Sequence, residues 1–304
     1  MTAQNAPVIK ENKEELLELL PEGFKWEVYL HTSEQMPEVD DESVDLVVTS
    51  PPYPMIELWD YLGSYDEQHE MIKKVMSECY DKLKRGGIMC INIGDATRSK
   101  STEFRYYPNH ARITENAEEI GFSSLIPILW NKPQNSPNKF MGSGMKPPNA
   151  YVTNETEYIL IFRKKGPRKF ENSLLRNASQ YSTDQRNEWF SQIWDIRGAP
   201  QRDELSQFPF EIPYRLIRMF SVMGDTVLDP FCGTGTTLQA SRSLGRHGIG
   251  FELNEELVDD IENKMSKVDS IPTEDILVNM VRVDRDGSGP ETFIKNPQPL
   301  IDIL

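Results

Sequence analysis

A chain of 304 residues, 38% hydrophobic and 27% charged, is long enough to bury a substantial core, as one large domain or a domain with an insertion. No stretch approaches the roughly 18 consecutive apolar residues of a membrane span. The N-terminal MTAQNAPVIKENKEELLELL carries acid where a signal peptide has a basic and an apolar region, so a cytoplasmic protein with no membrane partner is expected. The net charge of −15 argues against nucleic acid only until its distribution is seen: Arg98 to Arg218 holds 18 basic and 13 acidic residues, and the rest of the chain holds 15 and 35.

In chain order, residues from about Lys10 to Leu20 predict a short helix ended by Pro21. Ser43 to Thr49 predicts a buried strand that runs into Ser50-Pro51-Pro52-Tyr53. A helix is predicted from Asp66 to Lys84, with Met71, Ile72, Val75, Met76, Cys79 and Leu83 at 3–4 spacing and Gly86-Gly87 as its stop. Ile88–Ile93 is a strand ending at Gly94-Asp95, where Asp95 suits either a site beside the strand end or a cap. The spacing then predicts a helix over Ala111–Ile120, a strand over Phe122–Trp130 and a strand over Tyr158–Phe162. The Asn131–Ala150 stretch between these strands is a loop long enough to be functional or disordered.

Pro167 to Ser206 is polar, has little periodicity and reads as an insertion. A helix near Pro213–Ser221, a strand over Thr226–Phe231, a helix over Thr236–Leu244 and a strand over Gly248–Leu253 follow, and the tail beyond Ser270 has one amphipathic patch at Ile276–Val283. Alternating strands and helices imply an α/β fold with a doubly wound, mainly parallel sheet. Trp59 and Trp194 are expected in the core. Cys79, Cys90 and Cys232 have no spacing that suggests zinc or a disulfide framework.

Two constellations carry chemistry. Asp229-Pro230-Phe231-Cys232-Gly233-Thr234-Gly235-Thr236 sits where a strand feeds a helix, and glycines there let a ligand approach the backbone near a helix N-terminus. Glu252, 17 residues after Gly235 and at the end of the next strand, can accept both hydrogen bonds from ribose hydroxyls, which suggests an adenosine-containing cofactor. Leu238 stands where a dinucleotide fingerprint has its third glycine, and the turn lacks the lysine of a P-loop.

The second constellation, Ser50-Pro51-Pro52-Tyr53, leaves a strand at the carboxyl edge of the sheet. Two prolines force a rigid, extended exit. The Ser50 hydroxyl and the Pro51 carbonyl can then aim at one amino group, and Tyr53 offers a flat face to a base. An exocyclic NH₂ conjugated to a ring is a poor nucleophile. Two acceptors gripping its hydrogens localise the nitrogen lone pair and point it at an electrophilic methyl, and in-line positioning supplies much of the rate.

Together these residues resemble the amino-methylating DNA methyltransferases of restriction-modification systems, over roughly Trp26 to Lys264. Thr49-Ser50-Pro51-Pro52-Tyr53 is similar to their catalytic motif, and Asp229 to Gly235 to their S-adenosyl-L-methionine (AdoMet) motif. Phe208-Pro209-Phe210-Glu211-Ile212-Pro213 resembles the segment that covers the cofactor, and Gly250-Phe251-Glu252 the ribose-binding strand. The resemblance implies a seven-stranded, Rossmann-like AdoMet-methyltransferase sheet. The catalytic motif precedes the AdoMet motif, the permuted order of the family's β group, whereas protein-glutamine and ribosomal-RNA methyltransferases with a related tetrad normally run the other way. Serine at the head of the tetrad implies cytosine N4 as target, with adenine N6 as the alternative. An AdoMet-binding, DNA-binding protein without catalysis and an RNA or protein methyltransferase are remoter readings. Carbon-5 methylation needs a nucleophilic cysteine after a proline, and none is present.

The resemblance implies double-stranded DNA as substrate, a flipped-out target base, and a cognate restriction endonuclease as genetic partner, and it leaves room for a homodimer. Phosphate contacts are expected from the loop 131–150 and from Arg163, Lys164, Lys165, Arg168, Lys169 and Arg176, six cations within 14 residues opposed only by Glu171. Base reading is expected from Pro167–Ser206, where Arg176, Gln180, Gln185, Arg186 and Asn187 are of suitable types. The resulting division is an N-terminal helical segment (1–25), a catalytic half (26–166), a target-recognition insertion (167–205), an AdoMet-binding half (206–268) and a tail (269–304).

Overall fold

The switching between period-2 and period-3.6 apolar patterns is realised in a computed structural model that describes residues 18–19, 23–100, 103–132, 141–142, 147–170, 173–198, 208–266, 279–283 and 291–292. The predicted helix at 10–20, most of the loop 131–150 and most of the tail beyond 270 lie outside the described residues. The elements run β1 (Lys25–Tyr29), β2 (Val44–Thr49), a 3-10 turn (Glu57–Leu62), α1 (Tyr65–Lys82) and β3 (Leu83–Gly94). Next come β4 (Ala96–Lys100), β5 (Glu103–Tyr107), α2 (Asn109–Ile120), β6 (Phe122–Ser124), β7 (Ile128–Asn131), β8 (Met141–Gly142), β9 (Ala150–Tyr151) and β10 (Thr156–Lys164). The second half holds α3 (Leu174–Ala178), α4 (Thr183–Trp189), β11 (Ile193–Asp195), α5 (Glu211–Phe220), β12 (Thr226–Asp229), α6 (Thr236–Ser243), β13 (His247–Phe251), α7 (Val258–Ser266), β14 (Asn279–Val283) and β15 (Glu291–Thr292).

The main sheet has the order β11-β7-β10-β3-β2-β12-β13-β1-β14-β15, with β6 also pairing β10. Strands β3, β2, β12, β13, β1 and β14 are parallel neighbours, and β10 runs antiparallel between β3 and β7. From β2 the chain passes through α1 to β3 on one side. From β12 it passes through α6 to β13 on the other. Ligands of doubly wound sheets bind at such a switch point, here between β2 and β12.

Both faces of the sheet are buried, as a parallel sheet requires. Val44 and Val47 of β2 pack on one face with Ile72, Val75 and Met76 of α1 and Ile113 and Ala117 of α2. Leu46 and Val48, of opposite pleat, pack on the other with Ile212, Leu216 and Ile217 of α5. Helix α1 starts at a capping box in which the Ser64 hydroxyl accepts from the Glu67 N–H while the Glu67 carboxylate accepts from the Ser64 N–H.

The doubly wound α/β expectation holds, with four differences of detail. Among the described residues the sheet has eleven strands rather than seven, because short edge strands extend it. Helix α1 ends at Lys82, not at Gly86-Gly87: Leu83 turns extended and becomes fully buried at the start of β3, so the glycines lie inside a strand. The predicted strand 122–130 is two strands, β6 and β7, flanking Pro127, which has no N–H to give a ladder. The stretch 167–206 is not a bare polar excursion. It contributes β11, parallel to β7 at the sheet edge, and buries Trp189, Trp194 and Ile196 in the same core as Leu46 and Val48.

Candidate active site

The carboxyl ends of β2 and β12 are adjacent, and a hydrogen bond ties them: the buried Thr49 Oγ1 donates to Asp229 Oδ1 at 2.6 Å, across 180 residues of sequence. The last residue of one strand thus fixes the last residue of the other, and the chain leaves both in the same place. Asp229 also accepts from the Phe231 N–H at 3.1 Å. Burial pushes its carboxyl up to about 6, against the hydrogen bonds from Thr237, Thr49 and Phe231, which favour the charged form.

After Asp229 the backbone turns sharply. Gly233 (φ 54°) and Gly235 (φ 80°) occupy the left-handed region that glycine adopts without strain, and Gly235 leads directly into α6. Neighbouring strands hold the turn from behind. The Cys232 N–H donates to the Phe251 carbonyl at 2.8 Å, and the buried Ser33 hydroxyl donates to the Pro230 carbonyl at 2.7 Å. Glu252, at the end of β13, accepts from the Gly233 N–H at 2.8 Å through one oxygen and from the Asn254 N–H at 2.8 Å through the other. Burial raises its carboxyl, and these amides oppose the rise. The Leu253 N–H is a third backbone donor to this carboxylate.

A cavity of about 620 Å³ opens between the two strand ends, within the size range of cofactor sites. Ser50 and Pro52 line it from β2; Pro230, Phe231, Cys232, Gly233, Thr234 and Thr236 line it from the turn; and Phe251 and Glu252 line it from β13. Phe208 closes part of it, whereas Pro209 uses its carbonyl to accept from the Ile212 N–H at the start of α5. The 3-10 turn adds Leu58, Trp59 and Tyr61, so Trp59 lies at the site and not in the core, where Trp194 is found. Aromatic faces beside a carboxylate and a glycine turn fit an adenosine. Cys232 is buried with its thiol pushed well above the usual range, which makes it a wall and not a nucleophile.

The tetrad sits at the mouth of this cavity. Ser50 Oγ donates to the Tyr53 hydroxyl at 3.2 Å, Asn92 Nδ2 donates to the same oxygen at 2.6 Å, and Tyr53 donates to Glu157 Oε2 at 2.8 Å. The Cδ2–Cε2 edge of the ring lies over Gly94, where a Cβ would stand 2.9 Å from it, so the strand end must be a glycine for the ring to settle. Sequence reasoning missed Asn92, Glu157 and Lys132, the last ion-paired with Glu157. Their signal was present: a polar residue in the apolar run Ile88–Ile93, and another at the head of a predicted strand.

The other predicted residues are spread over both edges. Asp95 is a cap, accepting from the His110 N–H at 3.0 Å at the start of α2, and it also holds the Tyr106 hydroxyl. The basic run lies at the opposite, amino edge, because β10 is antiparallel: Glu157 pairs with Gly94 at one end and Arg163 with Ile88 at the other. There Lys164 is buried and donates to the Leu83 carbonyl at 2.6 Å, and Arg168 binds Asp225 through two hydrogen bonds of 2.6 and 2.8 Å. Lys165, Lys169 and Arg176 are exposed there, while Arg163 is half-buried; the structure does not bring this run to the tetrad. Arg186 is exposed on α4, ahead of β11.

Comparison with known proteins agrees with this geometry. The family profile described as DNA methylase (N6_N4_Mtase) matches residues 44–263. The type II methyltransferase M.MjaI of Methanocaldococcus jannaschii is 50% identical over 266 residues, covering 76% of this chain and 88% of the relative. M.MthZI of Methanothermobacter thermautotrophicus is 45% identical over 280 residues, covering 82% and 79%. The structure of TTHA0409, a DNA modification methylase from Thermus thermophilus complexed with S-adenosyl-L-methionine, superposes with a TM-score of 0.69 at 30% identity, covering 84% of this chain and 99% of that one. The cofactor is S-adenosyl-L-methionine, and the chain belongs to the N6/N4 DNA methylase family.

Proposed function

We propose that the protein is a site-specific DNA methyltransferase that moves a methyl group from AdoMet to the N4 amino group of a flipped-out cytosine, and so protects host DNA from a cognate restriction endonuclease. The observation that carries this reading is the Thr49–Asp229 bond, which puts the glycine turn and the tetrad around one cavity.

In this reading Glu252 takes the ribose hydroxyls, Phe231 and Phe251 flank the adenine, Phe208 covers it, and the Gly233–Thr236 backbone receives the remainder. When bound, the cofactor supplies an electrophilic methyl on a sulfonium. Ser50 and the Pro51 carbonyl accept the two amino hydrogens of the base, which localises the nitrogen lone pair. Tyr53 and the rigid prolines hold that pair of acceptors in place. Cytosine is favoured over adenine because serine heads the tetrad.

Duplex DNA then approaches the carboxyl edge. The β4–β5 hairpin projects there beyond the end of β3 and carries the exposed Arg105 and Tyr106. Among the described residues of the predicted base-reading segment, Asp195 arrives at that edge, beside Asn131.

Tritium from labelled AdoMet is expected in DNA as N4-methylcytosine after nucleoside digestion; N6-methyladenine alone overturns the choice of base, and label in RNA or protein but not in DNA overturns the substrate. Ser50→Ala removes one of the two acceptors and is expected to lower kcat by about 10²–10³, the scale found when one preorganised hydrogen-bonding group is lost, with AdoMet affinity unchanged.

A further inference from the structure

We infer that Glu157 is a positioning residue: it fixes the direction of a hydrogen-bond relay, Ser50 to Tyr53 to Glu157, so that Ser50 meets the target base as an acceptor and never as a donor.

The argument is one of proton accounting. Glu157 is buried, ion-paired with Lys132, and as a carboxylate can only accept. The Tyr53 hydroxyl, 2.8 Å away, must therefore give its single proton to Glu157. Its oxygen is left with two acceptor positions. One is filled by Asn92 Nδ2 at 2.6 Å, and the other by the Ser50 hydroxyl at 3.2 Å. The Asn92 amide cannot be turned the other way, because Nδ2 also donates to Glu157 Oε2 at 2.7 Å and a carbonyl there would face the carboxylate. The amide keeps this orientation although its buried Oδ1 has no hydrogen-bond partner among the described residues.

Every proton in the chain is thus committed away from the cavity, and Ser50 is left with lone pairs only. A hydroxyl alone could turn its proton toward a base carbonyl as readily as it could accept from an amino group. With its proton held by Tyr53, it welcomes an NH₂ and repels a carbonyl oxygen. The carboxylate two side chains away thereby contributes to the choice of a base that carries an amino group. Sheet register builds the device: Glu157 stands opposite Gly94 on β10, and Asn92 lies two residues earlier on β3.

This inference rests on the methyl-transfer reading, and the test separates the two. In steady-state assays with duplex DNA, Glu157→Gln is expected to lower kcat about tenfold to hundredfold, the equivalent of one misdirected buried hydrogen bond, with KM for AdoMet and Tm essentially unchanged. Tyr53→Phe is expected to behave alike, and the Glu157→Gln/Tyr53→Phe double variant to be no slower than the worse single variant, because both break one chain. Additive losses, or a loss confined to KM, overturn the relay. A second measurement needs no turnover. In wild-type protein the Tyr53 hydroxyl proton is expected as a slowly exchanging, downfield NMR signal that moves upfield in Glu157→Gln; an unmoved signal overturns the relay. Wild-type protein that shows this signal but never methylates DNA overturns the functional reading alone.

Discussion

The two edges of the sheet are both rich in ionisable and hydroxyl side chains, yet they treat them in opposite ways. At the amino edge charge is matched with charge. Arg168 spans Asp225 and Asp45, Lys84 reaches Asp45 at 2.8 Å, and Asp225 also accepts from the Val222 N–H. At the carboxyl edge Asp229 and Glu252 meet hydroxyls and backbone N–H groups, Glu157 meets the Tyr53 hydroxyl and the Asn92 amide as well as Lys132, and Ser50 keeps acceptor capacity toward a cavity. Clustered cations that are already matched fasten strand ends, whereas unspent lone pairs beside a hollow make a site. Within the run of six basic residues, Lys164 and Arg168 are matched in this way, and Lys165, Lys169 and Arg176 stay exposed.

The largest effect that probes this comparison comes from Asp229, the carboxylate behind the glycine turn. Its pKa in the folded chain is raised from 3.8 to about 6, chiefly by burial. A group whose folded pKa is raised favours the fold while it is protonated. That contribution is complete below pH 4 and is lost as pH climbs through about 6. Across that window the wild type should lose about 3 kcal/mol relative to Asp229→Asn, which does not titrate. Denaturant unfolding of both proteins at pH 3.5 and pH 8 measures it. A gap between the two that is independent of pH, or that shifts toward the wild type at high pH, contradicts the picture of a carboxylate held ionised at a cost so that it can bind Thr49 and the turn.

How far sequence alone reaches follows the same division. The tetrad and the glycine turn were legible because each is a local departure from a strand, with prolines or glycines whose backbone effects are fixed by their own chemistry. Their meeting was legible only as an expectation, since adjacency of β2 and β12 depends on sheet order. Glu157 and Asn92 were not recognised: they act through the register of an antiparallel pair, and Glu157 lies 104 residues from the tyrosine it holds. The placement of the basic run was not legible for a related reason. Its density along the chain is real, but the carboxylates that meet Arg168 arrive from β2 and from just before β12, and no local window contains them. The hairpin β4–β5 escaped because its sequence, Ala96 to Tyr107, alternates weakly and carries charges on both arms.

A smaller effect is expected at the amino edge itself. Arg168→Ala leaves Asp45 and Asp225, both nearly inaccessible, with Lys84 paired to Asp45 and Arg246 near Asp225. Breaking a buried pair from one side costs about 3–5 kcal/mol, and the partial exposure of Arg168 reduces this to about 2 kcal/mol. Thermal or urea unfolding should show the loss, while methyl-transfer rate and DNA affinity at constant salt stay at wild-type values. Retained stability with weakened DNA binding would return Arg168 to the DNA surface.

The smallest expected effect separates the edges most directly, because it uses exposed cations on both. Each phosphate contact contributes about 0.9 to the slope of log Kd against log salt concentration. Arg105 stands on the hairpin at the carboxyl edge, exposed, with its guanidinium 4.6 Å from the centre of the Tyr107 ring. Arg176 stands at the amino edge in the same kind of arrangement, 5.6 Å from the centre of the Phe170 ring. The two side chains are thus alike in charge, exposure and aromatic support, and differ in which edge they occupy. Arg105→Ala is expected to lower the slope by about one and Arg176→Ala to leave it unchanged, as measured by fluorescence anisotropy titrations from low to moderate salt. The reverse result would place the duplex along the amino edge. A flipped base could not then reach Ser50, which lies at the opposite end of β2.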